Sequence, residues 1–123
     1  MTSLSIDRSL SQADFDLFAG VSGDNNPIHV DPDFSARTRF GRTVSHGMLL
    51  YTVLWGMIQK LYPGAVQAGQ TLMFPNPAYA GEPLRFEVLQ TAADGGSRTL
   101  STRVTRITDG AVALDGEARI HIA

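Results

Sequence analysis

Asp24 and His29 stand five residues apart in the stretch Ser22–Pro32, SGDNNPIHVDP. A carboxylate and an imidazole that converge on one point can hold a water, take a proton from it and return one elsewhere. An unperturbed imidazole titrates at about 6.5, so such a pair does acid–base chemistry near neutral pH. On an uninterrupted helix this separation would put the two side chains about 140° apart, on different faces. Pro27 disfavours the helical region for Asn26, and Asn25 and Asn26 are turn formers. The chain therefore turns here, and in a turn both side chains can point into one space. Spacing alone leaves other readings open. Asp24 can finish a helix and bond turn amides, and His29 can be a satisfied core histidine. A metal site from Asp24, His29 and Asp31 lacks a third strong ligand at the usual spacing, so no metal is expected.

A second candidate lies at Ser45–Leu49, SHGML, where a strongly apolar segment begins. The first N–H groups of a helix have no internal partner and carry partial positive charge. Gly47 has no side chain, so a substrate oxygen can approach its N–H closely. That is the chemistry of an oxyanion hole. The plainer reading makes Ser45 an N-cap and Gly47 a packing glycine.

These groups need elements to hold them. Leu4, Ile6 and Leu10 suit a short first strand. Ser11 with Asp14 resembles a capping box, predicting a helix from about residue 11, with Phe15, Phe18 and Ala19 on its buried face. Gly20 and Gly23 mark its end. Pro32 starts a short helical turn that Gly41 breaks. The segment TVSHGMLLYTVLWGMIQKLYPG predicts a helix with almost no polar face, buried on most sides and stopped by Pro63 and Gly64. From residue 66 on, apolar positions fall partly in period two, and Asp94-Gly95-Gly96 and Asp109-Gly110 are hairpin signals. Five or six strands and one apolar helix predict an α+β architecture, a curved antiparallel sheet wrapped around one long central helix. An open sheet leaves edges that invite pairing, so oligomerisation through an edge strand follows unless arginines such as Arg103, Arg106 and Arg119 guard those edges; the expectation of a homodimer or higher homo-oligomer rests mostly on the resemblance given below.

Composition narrows the class. The chain of 123 residues predicts one domain spanning 1–123, with a hydrophobic fraction of 43% and no cysteine. Disulfides and thiolate metal sites are excluded, which fits a reducing cytosol. A net charge of -2 argues against nucleic-acid binding or an anionic membrane surface. No segment has the length and apolarity of a membrane span, and the charged N-terminus does not read as a signal peptide. A cytoplasmic protein is expected.

The two candidate motifs together resemble a known family. FAGVSGDNNPIHVDPDFS is similar to the hydratase motif of the MaoC-like (R)-specific enoyl-CoA hydratases, with Phe18, Gly23, Asp24, Asn26, Pro27, Ile28, His29 and Ser35 in register. SHGMLL resembles the family's helix start. GQTLMFPNPAYAGEPLRFEV resembles its following strand pair, with Phe74, Pro77 and Gly81 in place. The resemblance implies the hot-dog fold, dimers that join their sheets, and no cofactor. It implies hydration of a trans-2-enoyl-CoA to the (R)-3-hydroxyacyl-CoA, or the reverse. Asp24 and His29 would hold the water and Gly47 N–H would bind the thioester oxygen. Asn26, Ser45, His46 and Trp55 are further candidates for the substrate's surroundings. His46 reads as structural, because the motif puts the catalytic histidine at position 29. Trp55 is bulky enough to shorten an acyl pocket, unless it faces the sheet core. Cations near coenzyme A phosphates are sought among Arg85, Arg103 and Arg119. A carrier-protein dehydratase subunit, a hot-dog thioesterase and a non-catalytic partner subunit are the alternatives. The thioesterase lacks the Asp-x-Asn-Pro-x-His loop, and a non-catalytic partner would not need both Asp24 and His29.

Overall fold

The computed structural model describes residues 2–123. Strand β1 (Ser3–Ser9) leads into helix α1 (Gln12–Ser22), whose start is fixed by the expected capping box. Ser11 Oγ accepts the Asp14 N–H, and the Asp14 carboxylate accepts the Ser11 N–H. Gly23 ends α1 in the left-handed region at φ 81°, where its carbonyl-directed N–H closes the last turn on Ala19. Two short helices follow, α2 (Pro27–Val30) and α3 (Pro32–Ala36), each opened by a proline and capped by the residue before it. Asn26 Oδ1 accepts the Ile28 N–H and Asp31 Oδ1 accepts the Phe34 N–H. The central helix α4 (Gly47–Leu61) is followed by β2 (Val66–Met73), β3 (Pro83–Asp94), β4 (Ser97–Arg106) and β5 (Val112–His121).

The five strands form one antiparallel sheet in the order β1-β3-β4-β5-β2. Period-two alternation decides which face is inside. Leu84, Phe86 and Val88 of β3, Leu100 and Val104 of β4, and Leu114, Ala118 and Ile120 of β5 are buried, while Arg85, Glu87 and Arg103 point out. Register shifts at Gln67/Gly69, Gln90/Ala92 and Val104/Thr105 bend the strands and let the sheet curl. Gly116 lies so close to Thr71 of β2 that a side chain there would strike its carbonyl. The curled face wraps Leu50, Leu54, Met57 and Ile58 of α4, and Phe15 of α1 closes the core. Each of these large side chains contributes about 1.5–3 kcal/mol on burial.

One expectation is refined and one corrected. The central helix, buried or half-buried on its other sides, does have one open face: Met48, Thr52, Gly56 and Lys60, one turn apart, are exposed. Arg103 and Arg106 do not guard an edge, because β4 is the middle strand; Arg119 lies on β5, inside β2. The edges are β1 and β2. No helix among the described residues is long and apolar enough to cross a membrane.

Candidate active site

The chain between α1 and α4 is folded over the N-terminal end of the central helix and held there by polar contacts. Gln12 works in two directions. Its Nε2 donates to the His29 carbonyl at 2.9 Å, and its Oε1 accepts from Thr43 Oγ at 2.6 Å. The Val44 N–H donates to the Ile28 carbonyl at 3.0 Å, and the Ser45 N–H to the Ala78 carbonyl at 2.7 Å. Ser35, the small residue of the motif, is fully buried, and its hydroxyl donates to the Ile28 carbonyl at 3.2 Å. A larger residue would push α2 and α3 apart. These bonds fix the backbone of His29 before its side chain is considered.

The His29 ring is then oriented by one acceptor. Nδ1 lies 2.7 Å from the Val44 carbonyl oxygen. A carbonyl only accepts, so Nδ1 carries the hydrogen and Nε2 presents its lone pair. That Nε2 is 3.9 Å from Asp24 Oδ2. The distance is too long for a direct hydrogen bond and short enough for one water to reach both atoms. Asp24 is the exposed member of the pair, with 57% of its side chain open against 14% for His29. The expected convergence of the two side chains is thus present.

His46 lies beneath them. Its ring stacks on that of His29 with centroids 3.9 Å apart and planes inclined by 25°, and Phe18 meets it edge-on at 4.9 Å. Its Nε2 donates to the Asp24 backbone carbonyl at 2.8 Å. Burial, the dominant influence, pushes the His46 pKa below its ordinary value. Asp24, His29 and His46 each place a possible ligand atom within 4.8 Å of the others. Two imidazoles stacked almost parallel cannot both aim an in-plane lone pair at one ion, so the cluster does not have the geometry of a metal site.

A cavity of about 410 Å³ runs from Asp24 past Ser45, His46 and Gly47 to Phe74 and Asn76. Gly47 is the first residue of α4, and its N–H has no acceptor among the described residues. Its missing side chain is used differently from expectation. A Cβ at position 47 would lie 2.7 Å from the Phe74 ring, so the space is taken by that ring rather than left clear. The remaining candidates divide. Ser45 lines the cavity, but its hydroxyl donates to the His46 carbonyl and does not cap the helix. Asn26 does not line it; its amide oxygen is spent on the α2 cap. Trp55 is absent from the wall and packs half-buried against the core, the second of the two places open to it.

The arginines named from sequence are engaged elsewhere. Arg85 pairs with Asp7, Arg103 pairs with Asp115, and Arg119 lies over Gly69. The cation on the cavity wall is Arg39, which stacks on Phe40 at 4.8 Å. Sequence reading missed it because nothing marks one arginine in ARTRFGR as facing inward. The Val44 carbonyl was missed for a deeper reason: any residue could supply it.

A curled five-stranded antiparallel sheet around one helix, with a carboxylate and an imidazole facing each other in the loop folded over the helix N-terminus, defines a hot-dog protein. The family model for the MaoC like domain matches residues 2–112, and the chain belongs to that family. It is 36% identical over 121 residues to the (R)-specific enoyl-CoA hydratase of Aeromonas caviae, covering 95% of this chain and 90% of that protein. It is 32% identical over 116 residues to a mitochondrial 3-hydroxyacyl-[acyl-carrier-protein] dehydratase of Arabidopsis thaliana, covering 90% and 69%. Among solved structures, the (R)-hydratase from A. caviae involved in PHA biosynthesis superposes with a TM-score of 0.94 at 33% identity, covering 99% of this chain and 95% of that one.

Proposed function

We propose that this chain is a cytoplasmic hydro-lyase that adds water across the C2–C3 double bond of a trans-2-enoyl-CoA to give the (R)-3-hydroxyacyl-CoA, and that runs the reverse dehydration. The observation that carries the reading is the 3.9 Å gap between Asp24 Oδ2 and His29 Nε2, with the Val44 carbonyl keeping Nε2 free to accept.

The chemistry follows from charge. The thioester carbonyl withdraws electrons from the alkene, so C3 is electrophilic. As the water oxygen bonds to C3, the C2–C3 π electrons move toward the carbonyl and negative charge develops on the thioester oxygen. The Gly47 N–H at the head of α4 offsets that charge, a contribution of about 3 kcal/mol for one good donor. The Asp24–His29 pair takes one proton from the water and returns one to C2, so the product gains H and OH and nothing else. Acid–base help of this kind contributes about 10²–10⁴-fold. Delivery from a single water on one face makes the addition syn.

The enzyme is expected to act as a homodimer. Of the two sheet edges, β1 carries Asp7 and Arg8, whereas β2, VQAGQTLM, carries no charge. An uncharged edge is the one suited to pairing with a second copy. Crotonyl-CoA tests the activity directly: loss of the conjugated-thioester absorbance with formation of the (R)-alcohol supports it. No turnover of CoA thioesters, with turnover of the carrier-protein thioester, moves the assignment to the second reading, a 3-hydroxyacyl-carrier-protein dehydratase, which the similarity to the Arabidopsis dehydratase favours.

A further inference from the structure

His46 occupies the N-cap of α4 but makes no side-chain capping bond. Ser, Thr, Asp or Asn are the residues that cap, and an apolar residue would fill a buried position without a polar cost. The side chain, only 2% exposed, is spent instead on the neighbouring loop, through the 2.8 Å bond from Nε2 to the Asp24 carbonyl. That bond fixes the tautomer, since the carbonyl has no hydrogen to give. Nδ1 is left buried without a partner. As a lone pair it is tolerated; as an N–H on a charged ring it would be a buried donor with nothing to bond. The ring therefore stays neutral. The charged or titratable groups facing it are Asp24 and His29, and α1 contributes only Phe15 and Phe18. Its flat face against His29 matters once His29 gains a proton. A neutral aromatic face accommodates the imidazolium, whereas a second positive ring would repel it.

We propose that His46 is a positioning residue: as a neutral imidazole it ties the backbone of Asp24 to the head of α4 and backs the ring of His29. One side chain thereby sets the spacing of the carboxylate, the imidazole and the Gly47 N–H that follows it in sequence. The proposal rests on the hydration reading above, but its first test does not need activity.

The chain has three histidines, His29, His46 and His121, so imidazole ¹⁵N correlation spectra can be assigned. The expected result is that His46 shows the Nε2–H neutral form from about pH 8 down to the ordinary imidazole midpoint of about 6.5. An Nδ1–H tautomer, or a protonated ring within that range, overturns the proposal. The second test uses two variants. His46→Phe keeps a ring but removes the donor, and His46→Gln can restore an N–H to the Asp24 carbonyl. The Phe variant should stay folded and lose about tenfold to a hundredfold in kcat, the scale of a small misplacement, with KM within about threefold. The Gln variant should recover a large part of that loss. A folded Phe variant with wild-type kcat overturns the proposal, as does activity that only tracks the fraction folded in both variants. A wild type that hydrates no enoyl thioester sinks the functional reading, and the spectra then still decide whether His46 holds Asp24.

Discussion

The Asp24 carboxylate and His29 Nε2 face each other across 3.9 Å, a gap that one water can span. Their backbones are fixed separately, Asp24 through His46 and His29 through Gln12, Asn26 and Ile28–Val44 pairing. Asp24→Asn and His29→Ala should each remain folded: Asn keeps a side-chain oxygen, and Ala gives up the bond to the Val44 carbonyl while the backbone anchors of residue 29 persist. Each should lose about 10²–10⁴-fold in kcat for crotonyl-CoA hydration. Circular dichroism checks the fold and the absorbance assay the rate. Near-normal turnover in both would take the water-holding role away from the pair.

Gly47→Ala places a methyl group against the Phe74 ring, at 2.7 Å before anything moves. Phe74 is 46% exposed and can swing outward, and alanine is a good helix former. The thermal midpoint should change little, by less than about 1 kcal/mol in stability. The rate should fall by about 10²–10³-fold, because the methyl and the displaced ring crowd the thioester oxygen at the helix head. A variant with normal kcat/KM would mean that the oxygen is bound elsewhere.

Stability should fall in mild acid, and His46 gives the sign. Its folded pKa lies below the ordinary 6.5, chiefly because the ring is buried. Below 6.5 the unfolded chain binds a proton that the folded chain resists. The contribution of neutral His46 is present above the ordinary value and is lost as pH falls below it. Urea midpoints for wild type and His46→Gln, compared from pH 7.5 down to about 5, isolate this group; one proton changes the slope by at most about 1.4 kcal/mol per pH unit. The wild-type curve should be the steeper of the two, and parallel curves would contradict this origin.

Charging the β2 edge should keep the chain monomeric if the proposed edge pairing holds. Val66 and Met73 are 63% and 66% exposed, so Val66→Lys and Met73→Lys cost the single chain little. Sedimentation velocity should show twice the chain mass for the wild type and the chain mass for the double variant. A wild-type protein that sediments as a single chain would rule out edge pairing.

Local signals made much of this structure legible. Ser11 and Asp14 cap α1, Gly23 ends it, Asn26-Pro27 makes the turn, and Asp94-Gly95-Gly96-Ser97 closes a hairpin, each through bonds within a few residues. The carboxylate–imidazole pair was legible for the same reason. What escaped depends on distant chain. The Val44 carbonyl sets the His29 tautomer through a backbone atom that carries no residue signature. The strand order put Arg103 and Arg106 in mid-sheet, a fact of topology rather than spacing. The apolar run of α4 hid its open stripe, because an apolar Met48 gives no sign in sequence that it faces out. Trp55 had two possible directions on one helix, and only packing chose between them.

The side-chain amide of Gln12 sits in the first turn of α1 and joins that turn both to His29 and to Thr43. Helix ends open more readily than sheet interiors. Fraying there would release one anchor of the reactive loop, with the Ile28–Val44 pairing and the His46 bond to Asp24 still in place, while β3, β4 and β5 stayed zipped together. Turnover should therefore decline at denaturant concentrations that still leave the strands intact.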